Sequence, residues 1–169
     1  MTVYYILSWM PQLVADQGHS ASFATLTSAL ACFVGTIACV LLGLFGTTIP
    51  LRWLVGSLMI GLSITTMAFS LGAYGTGIVL LMAAGVGAFL YSSILGLYSA
   101  IVDGFAPHIR TTGVGFVMGV GRVGGAITPA LAGLMFQIGM ERQTVSIIMA
   151  MGALVAAAIM MSHSRNYNI

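Results

Sequence analysis

Charge in this sequence is confined to eight side chains: Arg52, Arg110, Arg122, Arg142, Arg165, Asp16, Asp103 and Glu141. Lysine is absent, and every charge except Arg122 falls at the edge of a long apolar run. A soluble domain is about 25% charged; this chain is 5% charged and 59% apolar, with 22 glycines and a mean hydropathy of +1.08. So few charges cannot clothe 169 residues in a solvated surface. A cytosolic enzyme, a secreted disulfide scaffold, a disordered tail and a nucleic-acid binder are excluded. Apolar helices packed closely in a lipid bilayer remain.

A crossing of the roughly 30 Å hydrocarbon core takes about 20 residues. Six crossings therefore fit, and six helices are predicted at about 1–15, 22–46, 51–72, 77–102, 112–139 and 143–162. The breaks are Asp16 to Ser20, Gly46 to Pro50, Gly72 to Gly75, Asp103 to Arg110 and Met140 to Arg142. The apolar runs are continuous and do not alternate with period two, which argues against a β-barrel. The first run, Met1 to Val14, is short for a crossing. Its length suits the apolar part of a secretory signal, but it lacks a basic flank and carries Tyr4, Tyr5 and Trp9. A helix whose start lies upstream fits better, so the chain reads as the back part of a longer protein. Arg52, Arg110 and Arg165 mark one side of the membrane and Arg142 the other. The bias of basic residues toward the cytoplasm then places both chain ends there.

Arg122 stands about ten residues past the start of the fifth predicted helix, roughly 15 Å deep at 1.5 Å per residue. An arginine at that depth costs about 2.5–3.5 kcal/mol on insertion scales, so it should face a cavity or a partner. At about 100° per residue its near neighbours on the wheel are Gly115, Met118, Gly119, Gly125, Ala126, Pro129 and Gly133. Phe116, Val120, Ile127, Leu131 and Leu134 form the opposite, lipid-facing side. The spacings Gly115-x-x-x-Gly119 and Gly121-x-x-x-Gly125 suit close helix packing. Two roles stay open for Arg122: a structural cation holding a carbonyl or carboxylate, or a group that handles an anion. Gly119 to Gly124 also spells G-x-G-x-x-G. A dinucleotide site needs a strand before that motif and a helix start within it, and here the glycines lie inside a long helix.

Pro107-His-Ile-Arg110-Thr-Thr-Gly113-Val-Gly115, then Gly119-Val-Gly121-Arg122-Val-Gly124, then Pro129 and Gly133, resemble the run that links the tenth and eleventh helices in major facilitator transporters. The arrangement is most similar to the aromatic acid:proton symporter branch. Trp9-Met-Pro11 followed by Gly18 resembles the end of the seventh helix there. The resemblance implies an all-α membrane protein of six transmembrane helices, the C-terminal half of a major facilitator fold, in a bacterial inner membrane. Its implied partners are a small organic acid, protons, the N-terminal six-helix half and the bilayer, with no cofactor. Arg110, Pro107 and Asp103 would then belong to the gating loop. The sequence departs from the family where Gly43 to Arg52 keeps glycines and one arginine without an Asp-Arg pair. It departs again where Gly104 replaces the acidic residue before the loop proline, and where Ser8 replaces asparagine before Trp9.

Carriers of this fold bind substrate near the midplane between two halves. An aromatic carboxylate needs a cation, which Arg122 offers with bidentate geometry, and flat walls. Tyr5, Trp9 and Gln12 share one face of the first helix, although Trp9 also suits an interfacial anchor. On the fourth helix Gly85, Ala88, Ser92, Gly96 and Ser99 form a small face beside Tyr91. It suits helix packing, with serines bonded to their own carbonyls, or a cavity wall on which Tyr91 or Ser92 meets substrate. Gly35, Cys39 and Gly43 read mostly as packing. Cys32 and Cys39 are roughly 10 Å apart along a helix, too far for a disulfide. His19, His108 and His163 fall in separate loops or the tail, without metal-ligand spacing. Twelve Met residues are apolar filler. The transporter half stands beside two alternatives: a self-standing six-helix protein that dimerises or assists assembly, and an intramembrane hydrolase, for which no histidine lies inside a helix.

Overall fold

A computed structural model describes residues 1–45, 49–72 and 74–162. Those residues form six helices and no strand: α1 (Thr2–Ala15), α2 (Ala21–Phe45), α3 (Leu51–Ser70), α4 (Thr76–Asp103), α5 (Arg110–Gln137) and α6 (Arg142–Ser162). The expected boundaries hold to within about three residues, with one consequence for the site. Arg110 is not a loop residue; it opens α5. Arg165, His163 and the Gly46 to Thr48 stretch lie outside the described residues. Five helices, α2 to α6, are long and apolar enough to cross a membrane. The 14 described residues of α1 reach about 21 Å, short of the roughly 30 Å of a crossing.

The helices end where local chemistry stops them. Gly139 adopts φ +84 after α5, and Met140 N–H donates to the Met135 carbonyl while Gly139 N–H donates to that of Phe136. This is the paired closure that a left-handed glycine permits after a last helical turn. Gly18, at φ +90, turns the chain after α1 in the same region of backbone space. Gly75 and Pro50 sit at the N-caps of α4 and α3, positions that tolerate a residue without helical commitments.

Small residues set the packing, as expected for helices in lipid. A Cβ on Gly87 of α4 would run into the Ala31 carbonyl of α2, so these two backbones approach without side chains between them. One turn along, Gly35 of α2 makes the notch that receives the Tyr91 ring. Gly61 of α3 receives Phe89, Gly96 of α4 receives Val55, and Gly56 of α3 receives Met161 of α6. Polar side chains tie α1, α3 and α6: Thr2 Oγ1 donates to the Met149 carbonyl at 2.6 Å and Ser63 Oγ to that of Ala150 at 3.1 Å. The main core gathers Tyr5, Leu13, Leu62, Phe69, Val86 and Val145, and a smaller cluster holds Val55, Met59 and Ala157.

The two ends of the bundle differ. Where α1 passes to α2 and α3 to α4, Gln17 Nε2 donates to the Phe69 carbonyl at 3.2 Å and His19 Nε2 meets the Tyr74 carbonyl at 3.1 Å. Gln143 Nε2 donates to the Leu71 carbonyl at 2.8 Å on the same end. At the opposite end, between the start of α3, the end of α4, the start of α5 and the end of α6, lies a cavity of about 800 Å³. Among the described residues one end is tied by side chains and the other holds this cavity.

Candidate functional site

Arg122 lies twelve residues into the 28-residue α5, roughly 18 Å from its start. Its side chain is exposed and makes no hydrogen bond or ion pair among the described residues. A Cβ added at Gly115, Gly119 or Gly121 would meet nothing within 4 Å, so this stretch of small residues packs on no other described helix. The expectation of close packing by all four glycines is met only at Gly125, where a Cβ would collide with the Tyr4 ring. Buried positions on α5 are few, namely Gly125, Thr128 and Ala132. That places the contact face of α5 about 80° from Arg122. The bulky side, with Phe116 73% and Leu134 57% exposed, faces away from the bundle as expected. Leu131 differs: it is partly buried against the core.

Against α5 stands a different aromatic residue of α1 from the one expected. Tyr5 is fully buried, and its hydroxyl and Ser146 Oγ share a hydrogen bond of 2.6 Å. It belongs to the core and not to a chamber wall. Its neighbour Tyr4 is 37% exposed and seats its ring on Gly125, less than one helical turn from Arg122. Ser8 and Gln12 are exposed on the same helix, and Gln12 Nε2 donates to Asp16 Oδ1 at 2.8 Å. The expected face of Tyr5, Trp9 and Gln12 is thus divided: Tyr5 points inward and Gln12 outward. Trp9 stands 4.8 Å from Phe136 between ring centroids and near Gly133, with its Nε1 buried and without a partner among the described residues. Sequence reasoning missed Tyr4, although the glycine at position 125 was a signal that something large sits there.

The fourth-helix candidates pack. Tyr91 donates its hydroxyl to Cys32 Sγ at 3.2 Å, and Cys39 Sγ donates to the Tyr91 carbonyl at 3.1 Å, so the ring runs along α2 between the two cysteines. Tyr91 borders a crevice of about 50 Å³ with Ile6, Met10 and Leu90, well under the roughly 150 Å³ of an apolar cavity known to hold benzene. Ser92 is buried, and Ser93 Oγ is buried without a partner. Ser99 bonds back to the Leu95 carbonyl, the local pattern expected for helical serines. Gly43 meets nothing within 4 Å.

The gating candidates converge on the open end. Asp103 closes α4, Arg110 opens α5 and both line the 800 Å³ cavity together with Arg52. Pro107 lies exposed in the turn between them, and Arg110 Nε donates to the Phe105 carbonyl at 3.4 Å. Among the described residues no group of three or more His, Cys, Asp or Glu side chains could hold a metal ion.

No protein-family model and no solved structure matches the chain. Curated relatives do. It is 31% identical to a 3-(3-hydroxy-phenyl)propionate transporter of Escherichia coli across 100% of its own length and 42% of that protein's. It is 25% identical to a benzoate transport protein of Acinetobacter baylyi over 80% of the chain and 29% of the relative. A gentisate transporter of Corynebacterium glutamicum aligns at 24% identity over 98% of the chain and 38% of the relative. The chain therefore spans less than half the length of the relatives it matches. All three names denote transport and none an enzyme, which sets aside the intramembrane hydrolase. The resemblance carried by the Pro107 to Gly133 run is borne out: the chain is a multi-pass membrane relative of aromatic acid transporters, aligned with a part of each.

Proposed function

We propose that the chain forms the C-terminal six-helix part of a proton-coupled carrier for small aromatic carboxylates, and that Arg122 receives the carboxylate. The observation that carries this reading is the setting of Arg122: mid-helix, exposed, and flanked by glycines that pack on no other described helix. A guanidinium is expensive in hydrocarbon, and bare glycine surface gains little from lipid contact. Both features suit a polar chamber closed by a companion bundle, the N-terminal half. Substrate would then sit at the interface of the two halves, which rock about it.

In that chamber Arg122 offers two parallel N–H donors to a carboxylate, and the low local dielectric strengthens the pairing. The acids Asp16, Asp103 and Glu141 lie at or beyond helix ends, so the proton-carrying acid belongs to the companion half in this reading. In the complete carrier, Arg122→Ala abolishes benzoate or 3-(3-hydroxyphenyl)propionate uptake while membrane insertion persists. Arg122→Lys retains a fraction, because an ammonium keeps the charge and loses the fork geometry. Full-rate uptake by Arg122→Ala would remove this residue from the mechanism.

A further inference from the structure

The open-end cavity combines features that the proposed carboxylate position at Arg122 does not use. Arg52 and Arg110 come from the starts of two different helices and Asp103 from the end of a third, so its rim carries two positive charges and one negative. Its walls include Leu97, Ile159 and Met160. The three charged residues lie where α3, α4 and α5 begin or end, the level at which spans leave the hydrocarbon and meet lipid headgroups. The Arg52 guanidinium lies 5.8 Å from the Trp53 ring centroid, a cation and an amphipathic ring paired as they are at membrane interfaces. Arg110 is roughly 18 Å along α5 from Arg122, so this cavity is separate from the proposed substrate position.

We propose that this cavity is a binding site for an acidic phospholipid, with its phosphate between Arg52 and Arg110 and an acyl chain against Leu97, Ile159 and Met160. The charge pattern selects an anion, since the described charged residues of the rim sum to plus one. The walls select the source of that anion: a soluble anion has no use for an aliphatic cleft of about 800 Å³, whereas a lipid fills it with its tail. Two arginines on separate helices also give the lipid a mechanical consequence. Bridging them joins the start of α3 to the start of α5 at the end opposite the Gln17, His19 and Gln143 hydrogen bonds.

The test uses the chain in vesicles with Trp53 as a local reporter. Trp9→Phe leaves Trp53 as the only tryptophan and removes an indole N–H that has no partner. Brominated phosphatidylglycerol should quench Trp53 at roughly one fifth of the mole fraction that brominated phosphatidylcholine needs, as one net charge at a membrane surface implies. Arg52→Gln with Arg110→Gln should bring the two lipids to parity at unchanged helicity, and Arg52→Lys with Arg110→Lys should keep the preference. Equal quenching by both lipids in the parent protein overturns the proposal. So does a preference that survives the double glutamine variant, or one erased by millimolar inorganic phosphate or benzoate, which would mark a soluble-anion site. None of these readings depends on transport.

Discussion

At the scale of single residues, glycines divide into those whose bare surface is filled and those whose surface is open. Gly87 is filled by the Ala31 backbone, which cannot swing aside as a side chain can. Gly87→Ala should therefore force α2 and α4 apart and cost about 1–3 kcal/mol, typical of overpacking, seen as a lower unfolding midpoint in detergent. Gly119→Ala meets nothing within 4 Å and should leave that midpoint unchanged. Tyr5→Phe removes the hydroxyl that pairs with Ser146 and should cost about 0.6 kcal/mol, the mean for hydrogen bonds between membrane helices. The same measurement on the chain alone checks it. Sequence spacing put Tyr5, Trp9 and Gln12 on one side of α1, but periodicity does not say which way that side turns. In a membrane helix both lipid and core are apolar, so the usual polar–apolar contrast that orients a helix is missing. Tyr4 and Tyr5 exchanged roles for that reason.

At the scale of elements, α5 is the least embedded span. Only 11% of its most apolar window is buried, against 44% for α3. Its hold on the bundle comes through short α1, by Tyr4 on Gly125 and Trp9 beside Phe136 and Gly133. In the chain alone, amides of α5 should exchange hydrogen before those of α3 and α4, because helices with few buried contacts open at lower free energy. Mass-spectrometric exchange resolved by peptide tests this, and α5 protected as strongly as α4 would contradict it. Helix existence and type were legible throughout, since continuous apolar runs bounded by charges, Pro and Gly admit little else. The depth of α1 was not: its 14 residues suffice for a helix, while a crossing takes about 20. The role of the small stripe was half legible. Its spacing announced an interface, but of its glycines only Gly125 and Gly133 meet a partner on another described helix.

At the scale of the whole molecule, the described residues fasten the bundle at one end by side chains that reach across loops and leave a cavity at the other around Arg52, Asp103 and Arg110. Within the proposed carrier, that asymmetry lets the open end change shape while the fastened end keeps the helices in register. The chain reconstituted alone should take up no benzoate, because the chamber beside Arg122 would lack its second wall; uptake at the complete carrier's rate would favour a self-sufficient dimer. The motif run from Pro107 to Gly133 exposed the relationship to aromatic acid transporters in advance of any geometry. The position of the contact face on α5 was hidden, since it depends on which ring, Tyr4 or Tyr5, lies on Gly125.

In the proposed carrier the Arg122 side of α5 borders water and substrate. Gly119, one turn from Arg122 and open to space, is the place to probe it, in the complete carrier with its native cysteines, Cys32 and Cys39 among them, replaced by serine. A charged, water-soluble methanethiosulfonate should label Gly119→Cys, and saturating benzoate should slow the labelling. A cysteine there that reacts only with a lipid-soluble maleimide, and at a rate benzoate does not change, would contradict the account.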